Sequence, residues 1–216
     1  MHRFGDIRWY AQVDSTNRVV ADLARTGAPD GVVVGADHQT AGRGRRGRTW
    51  EAPAGASLLV SVLLRPAPPL VTLAAGMAAA GACEAVAGVT IGLKWPNDLL
   101  VGSAKLGGIL SEAVAGAAVV GLGVNLAWAP AGAACLGPEV ERDALLDAYL
   151  AGLDAPGDVL GRYRSRCTTL GRRVRVQLPS ETLEGVATDV DDHGRLLVDG
   201  RPIAAGDIIH LSVPDT

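Results

Sequence analysis

The sequence predicts an α+β fold, in which a mixed or antiparallel sheet is flanked by helices and followed by a small β-barrel. Three observations predict it: fully apolar strand segments bounded by glycine-rich turns, a long alanine-rich segment, and a shift near Gly171 to short β segments separated by turns. The chain has 216 residues, 48% of them hydrophobic, so it can bury a sizeable core. We expect a main domain over residues 1–168 and a small β domain over residues 169–216.

The elements of the main domain follow from local patterns. The runs that predict strands are IRWYAQV, GVVVGAD, ASLLVSVLLR, TIGLKW, GAAVVGLGVNL and the two halves of PNDLLVGSAKLGGILSEAV, which meet in a tight turn at Gly102-Ser103. The segment DSTNRVVADLARTG predicts a helix, because Asp14 to Thr16 offer caps and Gly27 ends the apolar periodicity. Residues 139–153 and 156–168 also have helical patterns.

The segment from Leu70 to Leu93 contains a single charge, Glu84, and is long enough to cross a bilayer. It consists mostly of alanine and glycine, so its hydrophobic drive is weak, and Gly88 divides it into a helix and a strand. A buried, closely packed helix is therefore favoured over a membrane span.

The C-terminal part predicts a small β-barrel. The segments RRVRVQL, ETLEGVATDV, RLLVDG and RPIAAGDIIHLSV alternate with turns such as DDHG. Such close spacing of short strands is typical of small barrels.

Charge and cysteine content limit the function classes. The net charge is -3 and the sequence pI is about 5.8, whereas a general nucleic-acid binder is usually basic. Three widely spaced cysteines form no CxxC pair, and neither histidine nor cysteine has metal-ligand spacing, so we predict reduced thiols in a cytoplasmic protein and no metal site. No apolar signal region follows the N-terminus.

The segment AGRGRRGRTW, residues 41–50, concentrates four arginines between three glycines. It matches the pattern GxGxxG, but no helix pattern or acidic residue follows as a dinucleotide site requires. An RNA-binding segment would be expected in a basic or aromatic-rich chain. The remaining interpretations are a solvated surface loop and an ordered loop around a small anion, because guanidinium groups bind phosphate in bidentate geometry.

Four further motifs carry polar groups that suit a nucleotide or an acid. In KWPND a cation, an amide and a carboxylate stand on a proline-fixed turn, which suits a phosphate or its Mg²⁺, although a plain β-turn fits as well. In KLGGIL, Lys105 stands beside two glycines within a strand, a position typical of close ligand approach or of a simple bulge. In GLGVNL, Asn125 follows a strand. In DSTN the polar residues suit either N-capping or ligand contact.

The ordered set STN, HQTAGRGRRGRTW, LKWPNDLL, KLGGILSE and GLGVNL resembles the biotin–protein ligases, also called biotin–[acetyl-CoA-carboxylase] ligases. The resemblance covers residues 7–126 and extends to the C-terminal β segments, which are similar to the family's SH3-like domain. It implies a class II synthetase-like catalytic domain. It also implies that the enzyme makes biotinyl-5′-adenylate from biotin and MgATP, and then transfers biotin to one lysine of a biotin carboxyl carrier domain.

The resemblance also implies roles for individual residues. The residues expected at biotin or its adenylate are Ser15, Thr16, Asn17, Gln39, Arg43, Gly44, Arg45, Trp50, Lys105 and Gly108. The residues expected on the ATP side are Arg48, Lys94, Asn97, Asp98 and Asn125. Arg45 and Lys105 are expected to matter most for the chemical steps, because cations reduce the repulsion between a carboxylate and a phosphate. No enzyme nucleophile is needed, since the acceptor lysine attacks.

Only fourteen residues precede STN, so we expect a ligase without the N-terminal helix-turn-helix repressor domain of some family members, and hence no DNA partner. We expect no membrane partner, and a monomer or a homodimer. Two alternatives stay open: a lipoate–protein ligase, which shares the adenylate chemistry, and a non-enzymatic polyanion-binding module.

Overall fold

The computed structural model describes residues 3–178 and 180–211, which form two sheets and four helices. The strands of the first sheet are β1 Ile7–Val13, β2 Val33–Gln39, β3 Ser57–Leu64, β4 Gly92–Lys94, β5 Asp98–Val101, β6 Ala104–Val114 and β7 Ala117–Asn125. The helices are α1 Thr16–Arg25, α2 Val71–Ala87, α3 Arg142–Asp154 and α4 Val159–Arg166. The strands of the second sheet are β8 Arg173–Gln177, β9 Thr182–Val190, β10 Leu196–Val198, β11 Arg201–Ile203 and β12 Asp207–His210. The predicted strands and helices are confirmed with small differences at their ends, except that RPIAAGDIIHLSV, predicted as one β segment, contains the two strands β11 and β12.

The first sheet is mixed, as predicted. Its strand order is β1-β2-β3-β7-β6-β5-β4; β1 and β2 are parallel, and all other neighbours are antiparallel. The central strand β3 is buried along its whole length. This agrees with its continuous apolar run, which is typical of a strand covered on both faces.

Helices cover both faces of this sheet. On one face, Val20 and Ala24 of α1 pack against Val34, Leu63 and Val119. On the other face, α2 and α3 lie over the alternate residues of β3 and β7 in the larger apolar core. The period-two alternation of strand side chains therefore divides the interior into two apolar clusters.

Helix α2 confirms the prediction of a buried helix from Leu70 onward. It ends at Gly88, whose φ of +66° is the left-handed conformation typical of a helix C-terminus. Small residues allow close helix packing: a Cβ built on Gly152 of α3 would lie 3.0 Å from the Cβ of Ala78 in α2. Among the residues that the structure describes, no helix has the length and apolar character needed to cross a membrane.

The second sheet is antiparallel, with the order β11-β10-β9-β8-β12. This agrees with the predicted C-terminal β structure; among the described residues the pairings run from β11 at one edge to β12 at the other, without a pair that closes the sheet into a barrel. The predicted continuation of the last strand through Ser212 and Val213 lies outside the described residues. The buried Trp95 joins the two sheets, since its backbone N–H donates to Thr169 Oγ1 (3.1 Å) and its Nε1 donates to the carbonyl of Gly194 (2.9 Å).

Candidate active site

A cavity of about 350 Å³ lies between the first sheet, the arginine loop (residues 41–50) and the second sheet. It brings together fourteen of the fifteen site residues that the sequence predicted. These fourteen are Ser15, Thr16, Asn17, Gln39, Arg43, Gly44, Arg45, Arg48, Trp50, Lys94, Asn97, Asp98, Lys105 and Gly108.

The start of α1 forms one end of the cavity. Ser15 is the N-cap residue, yet its side chain makes no capping hydrogen bond. The backbone N–H of Thr16 donates to Gln39 Oε1 at 2.8 Å, and Thr16 Oγ1 lies 3.0 Å from the same oxygen. Gln39 therefore takes the place of a capping side chain, which leaves the Ser15 hydroxyl available to the cavity.

Asn17 is held in one orientation by its neighbours. Its Nδ2 donates to the carbonyl of Leu110 (3.1 Å) and to Glu112 Oε2 (2.8 Å), so its Oδ1 faces the hydroxyl of Ser61 at 2.7 Å. The amide lies directly on β7, because a Cβ on Gly121 would come within 2.2 Å of Asn17 Oδ1. A glycine at this strand position is therefore needed for the close approach.

The arginine loop is an ordered hairpin. The N–H of Gly44 donates to the carbonyl of Arg48 (2.7 Å), the N–H of Trp50 donates to that of Gly42 (3.0 Å), and a 3-10 turn at Arg45–Gly47 forms the tip. Arg46 occupies the left-handed region, with φ of +56°. Gly47 serves the turn, with φ of +76°, and Gly42 permits a close approach, because a Cβ there would lie 2.2 Å from the carbonyl oxygen of Trp50.

Each of the four loop arginines contacts a different element. Arg43 donates to Glu112 Oε1 (2.6 Å), Arg45 to Asn97 Oδ1 (3.1 Å), Arg46 to the carbonyl of Gln177 (2.8 Å) and Arg48 to Asp207 Oδ2 (2.7 Å). The loop is thus attached to β6, to the turn before β5 and to the second sheet. The structure therefore contradicts the interpretation of this segment as an unattached, solvated surface loop.

The KWPND and KLGGIL motifs meet in an ion pair. Lys105 Nζ lies 2.6 Å from Asp98 Oδ1, and the Nδ2 of Asn97 donates to the carbonyl of Ile109 (2.9 Å). The turn between β4 and β5 is therefore fixed to β6. Asp98, expected on the ATP side, and Lys105, expected at biotin, are direct neighbours.

The cavity attracts anions. Its lining contains five cationic side chains, Arg43, Arg45, Arg48, Lys94 and Lys105, and two carboxylates, Asp98 and Asp207. Burial lowers the pKa of Arg45, and burial together with repulsion from Lys105 and Arg48 lowers the pKa of Lys94. Both directions mean that these charges are incompletely solvated and that a bound anion would relieve the cost.

Trp50 forms an apolar wall. Its ring lies on β7, since a Cβ on Gly123 would come within 2.8 Å of it. Its buried Nε1 has no hydrogen-bond partner among the described residues. Gly108 lies beside the cation, because a Cβ there would be 3.5 Å from Lys105 Nζ.

Asn125 is the one predicted site residue that does not line the cavity. It is 3% exposed, and its Nδ2 donates to the carbonyl of Ala134 at 2.9 Å, so it fixes the loop that follows β7. Sequence reasoning missed the lining residues of the second sheet, which are Gln177, Gly206, Asp207, Ile208 and Ile209. No local signal marks them, because their place depends on how the second sheet packs on the loop.

Sequence reasoning also assigned no role to Glu112, although KLGGILSE ends on it. Within the described ranges, no group of three or more His, Cys, Asp or Glu side chains could hold a metal ion.

Comparison with known families agrees with this arrangement. The family model described as "Biotin/lipoate A/B protein ligase family" matches residues 9–127, and that described as "Biotin protein ligase C terminal domain" matches residues 169–211. The chain is 40% identical to the biotin–[acetyl-CoA-carboxylase] ligase of Mycobacterium tuberculosis, over 93% of this chain and 87% of that protein. It is 33% identical to the enzyme of the same name from Paracoccus denitrificans, over 88% and 92% of the two chains.

A solved structure has the same fold. The biotin protein ligase from Aquifex aeolicus in complex with biotin and ATP superposes with a TM-score of 0.82 at 25% identity, over 95% of this chain and 98% of that chain. The matched family models, the sequence identities and the shared fold cover both sheets. The chain therefore belongs to the biotin/lipoate A/B protein ligase family.

Proposed function

We propose that this chain activates biotin with ATP to biotinyl-5′-AMP and then transfers the biotinyl group to one lysine of a biotin carboxyl carrier domain. The single observation that carries the proposal is the cavity itself, in which amide and hydroxyl groups at one end adjoin a cluster of cations. The relatives named biotin–[acetyl-CoA-carboxylase] ligase, at 40% and 33% identity, support it.

The polar end suits the cyclic urea of biotin. A urea presents one carbonyl acceptor and two N–H donors in a plane. Ser15, Thr16, Asn17 and Gln39 offer hydroxyl and amide groups there, and three of them are fixed by hydrogen bonds within the protein. Such pre-organised groups recognise a polar ring with little loss of side-chain entropy on binding.

The cationic end suits the reacting groups. In the first step a carboxylate oxygen of biotin attacks the α-phosphorus of ATP, the bond to the bridging oxygen breaks and pyrophosphate leaves. Arg43, Gly44, Arg45 and Lys105 would hold the biotin carboxylate and the α-phosphate, and Arg48, Lys94, Asn97 and Asp98 would hold the rest of the nucleotide. Asn125 would serve the nucleotide side indirectly, by fixing the loop that follows β7. Cations reduce the repulsion between two anions and stabilise the charge that develops on the phosphoryl oxygens.

In the second step the acceptor lysine, as a free amine, attacks the acyl carbon of the mixed anhydride. AMP leaves, and the lysine nitrogen gives up its proton. The chain needs no nucleophile of its own. Trp50 and Gly108 shape the pocket, and the arginine loop shields the anhydride from water, which would otherwise hydrolyse it.

Mg²⁺ fits the site as a companion of ATP. Mg²⁺ is commonly held by one or two carboxylates together with substrate phosphates. Asp98, which pairs with Lys105 in the cavity, would supply such a carboxylate. When bound with ATP, the ion would neutralise phosphate charge.

We also propose a catalytic region over residues 1–168 and a C-terminal domain over residues 169–216, a division that the two family matches support. Because the reaction consumes ATP, we propose that the protein acts in the cytoplasm. A lipoate ligase is the second candidate, since the matched family includes lipoate ligases.

The test is mass spectrometry of a purified biotin carboxyl carrier domain after incubation with this protein, MgATP and either biotin or lipoate. We expect one biotin-sized mass increment on one lysine, dependent on ATP. A lipoyl increment instead would move the specificity to lipoate. If the folded protein attaches neither acid, the ligase proposal fails. Retention of that protein on heparin would then favour the polyanion-binding alternative.

A further inference from the structure

Glu112 lies on β6 behind the cavity wall and outside the cavity lining. Its carboxylate contacts two residues that are far apart in the chain: Oε2 accepts from Asn17 at 2.8 Å, and Oε1 accepts from Arg43 at 2.6 Å. Asn17 belongs to the start of α1, and Arg43 to the start of the arginine loop. One carboxylate thus joins the polar end of the cavity to its loop.

The hydrogen-bond chemistry requires a carboxylate at this position. The two N–H groups of the Asn17 amide point to Leu110 and Glu112, and the guanidinium of Arg43 also carries only donors. Both partners therefore present N–H groups to Glu112. A glutamine has one acceptor oxygen and one NH₂ group, so it would set a donor against a donor on one side.

The two partners of Glu112 differ in exposure. The Glu112 side chain is 27% exposed, whereas that of Arg43 is 50% exposed. Asn17 is 3% exposed and is also held by Ser61 and Gly121. Hydrogen bonds to an ionised carboxylate are about twice as strong as neutral ones. The carboxylate is therefore the shared support of a rigid partner and a more exposed one.

We infer that Glu112 is a positioning residue for biotin, which sets the Asn17 amide and the Arg43 guanidinium at a fixed separation on either side of the bound ring and chain. The inference rests on the proposed ligase function. Glu112 does not touch the substrate, and its effect passes through the two residues that it holds. A substitution of Glu112 should therefore weaken the binding of biotin more than it slows the chemical step.

The test is Glu112→Gln, assayed by biotin-dependent labelling of the carrier domain at saturating ATP. We expect the KM for biotin to rise at least about tenfold and kcat at saturating biotin to change less than about threefold, because the lost contacts act equally on substrate and transition state. The control is Glu184→Gln, which removes a carboxylate that pairs with Arg175 at 2.7 Å in the second sheet. It should leave both constants unchanged.

A double-mutant cycle adds a readout that general loosening would not give. If Glu112 acts through Arg43, Arg43→Gln and Glu112→Gln should be strongly non-additive in the KM for biotin. Additive effects would overturn the inference. So would a KM within about twofold of the wild type in a Glu112→Gln protein that melts at the wild-type temperature, or a loss confined to kcat.

If Glu112→Gln does not fold, Glu112→Asp replaces it. The aspartate keeps the charge but is one methylene too short to reach both partners, so the KM for biotin should again rise, and an unchanged KM would contradict the inference. Labelling by the wild-type protein distinguishes a failure of the proposed ligase function from a failure of the proposed role of Glu112. A wild-type protein that labels no carrier refutes the proposed function, whereas normal wild-type labelling with an unaltered Glu112 variant refutes only the role of Glu112.

Discussion

Lys105 and Arg45 illustrate how single residues make this cavity able to bind anions. Lys105 is paired with Asp98 at 2.6 Å, and Arg45 contacts the neutral oxygen of Asn97 at 3.1 Å. Arg45 thus has a positioning partner that does not cancel its charge. A partly buried cation with a neutral partner is well suited to stabilise charge that develops on a substrate.

Lys105→Ala should lower the rate of adenylate formation at least about tenfold, which corresponds to the loss of roughly one charge-assisted contact. The measurement is single-turnover release of pyrophosphate from ATP in the presence of biotin. Arg25→Ala is the control, because Arg25 lies on the exposed face of α1 and pairs with Asp22. An unchanged single-turnover rate would remove Lys105 from the chemical step.

Arg45→Gly should leave the fold intact and let the adenylate escape, because the loop would lose its contact with Asn97 and the contact that we propose with the phosphate. We expect biotin on bystander lysines of an added protein, measured by mass spectrometry. Arg46→Gly is the matched control, since Arg46 points to Gln177 and already has the positive φ that glycine tolerates. Labelling as selective as that of the wild type would contradict the role of Arg45 in closure.

The β6–β7 pair is the element that forms the floor of the cavity. Gly121 and Gly123 alternate on β7, and each allows a side chain from elsewhere, Asn17 or Trp50, to lie directly on the strand. The hairpin is otherwise regular, with eight residue pairs from Gly107↔Val124 to Val114↔Ala117. Glycines therefore create the room for ligand recognition without disturbing the strand pairing.

Gly121→Ala should raise the KM for biotin at least about tenfold, because its Cβ would lie 2.2 Å from Asn17 Oδ1 and overpacking of this kind costs about 1–3 kcal/mol. This KM is measured by steady-state labelling of the carrier domain at a series of biotin concentrations. Gly81→Ala in α2 is the control: a Cβ there meets nothing within 4 Å, so helix propensity should raise the melting temperature by about 2–4 °C with no change in KM. A normal KM for Gly121→Ala would contradict the role of the close approach.

The elements were predictable because their signals are local. The apolar run of β3, Gly27 after α1 and Gly88 after α2 each specify a segment without reference to the rest of the chain, whereas the start of α1 is capped by the distant Gln39. The site was predictable only in part. Motifs located the cations, whereas Asp207 enters the cavity from the far end of the chain, and Glu112 acquires its role from two partners that only folding brings near it.

The two sheets are coupled through a buried polar junction. His210 Nε2 lies 3.2 Å from Thr169 Oγ1, and the same oxygen accepts from the backbone N–H of Trp95. Burial, followed by the positive charges of Lys94 and Arg172, lowers the pKa of His210 to about 4. The folded protein therefore favours the neutral imidazole at this junction.

This junction should make stability depend on pH. An unfolded histidine has a pKa of about 6.5, so between that value and about 4 the unfolded chain binds the proton more readily than the folded one. The contribution of His210 is present above about pH 6.5 and is lost as the pH falls towards 4. We expect the melting temperature of His210→Gln to fall less between pH 7.5 and 5 than that of the wild type.

The control for this measurement is His193→Gln, because His193 lies in an exposed turn of the second sheet. It should follow the wild-type pH dependence. Equal slopes for the wild type and His210→Gln would show that protonation of the junction does not limit the stability of the molecule.

Two cations of the cavity lining already have a carboxylate partner: Arg48 is paired with Asp207, and Lys105 is paired with Asp98. An incoming carboxylate or phosphate would compete with these two resident carboxylates for Arg48 and Lys105, whereas Arg45 is held by the neutral oxygen of Asn97. Affinity for a free polyanion that depends on counterion release falls steeply with salt. Here the binding of ATP and biotin should change less steeply between low and physiological salt than the binding of a free polyanion, because Asp98 and Asp207 already neutralise part of the positive charge.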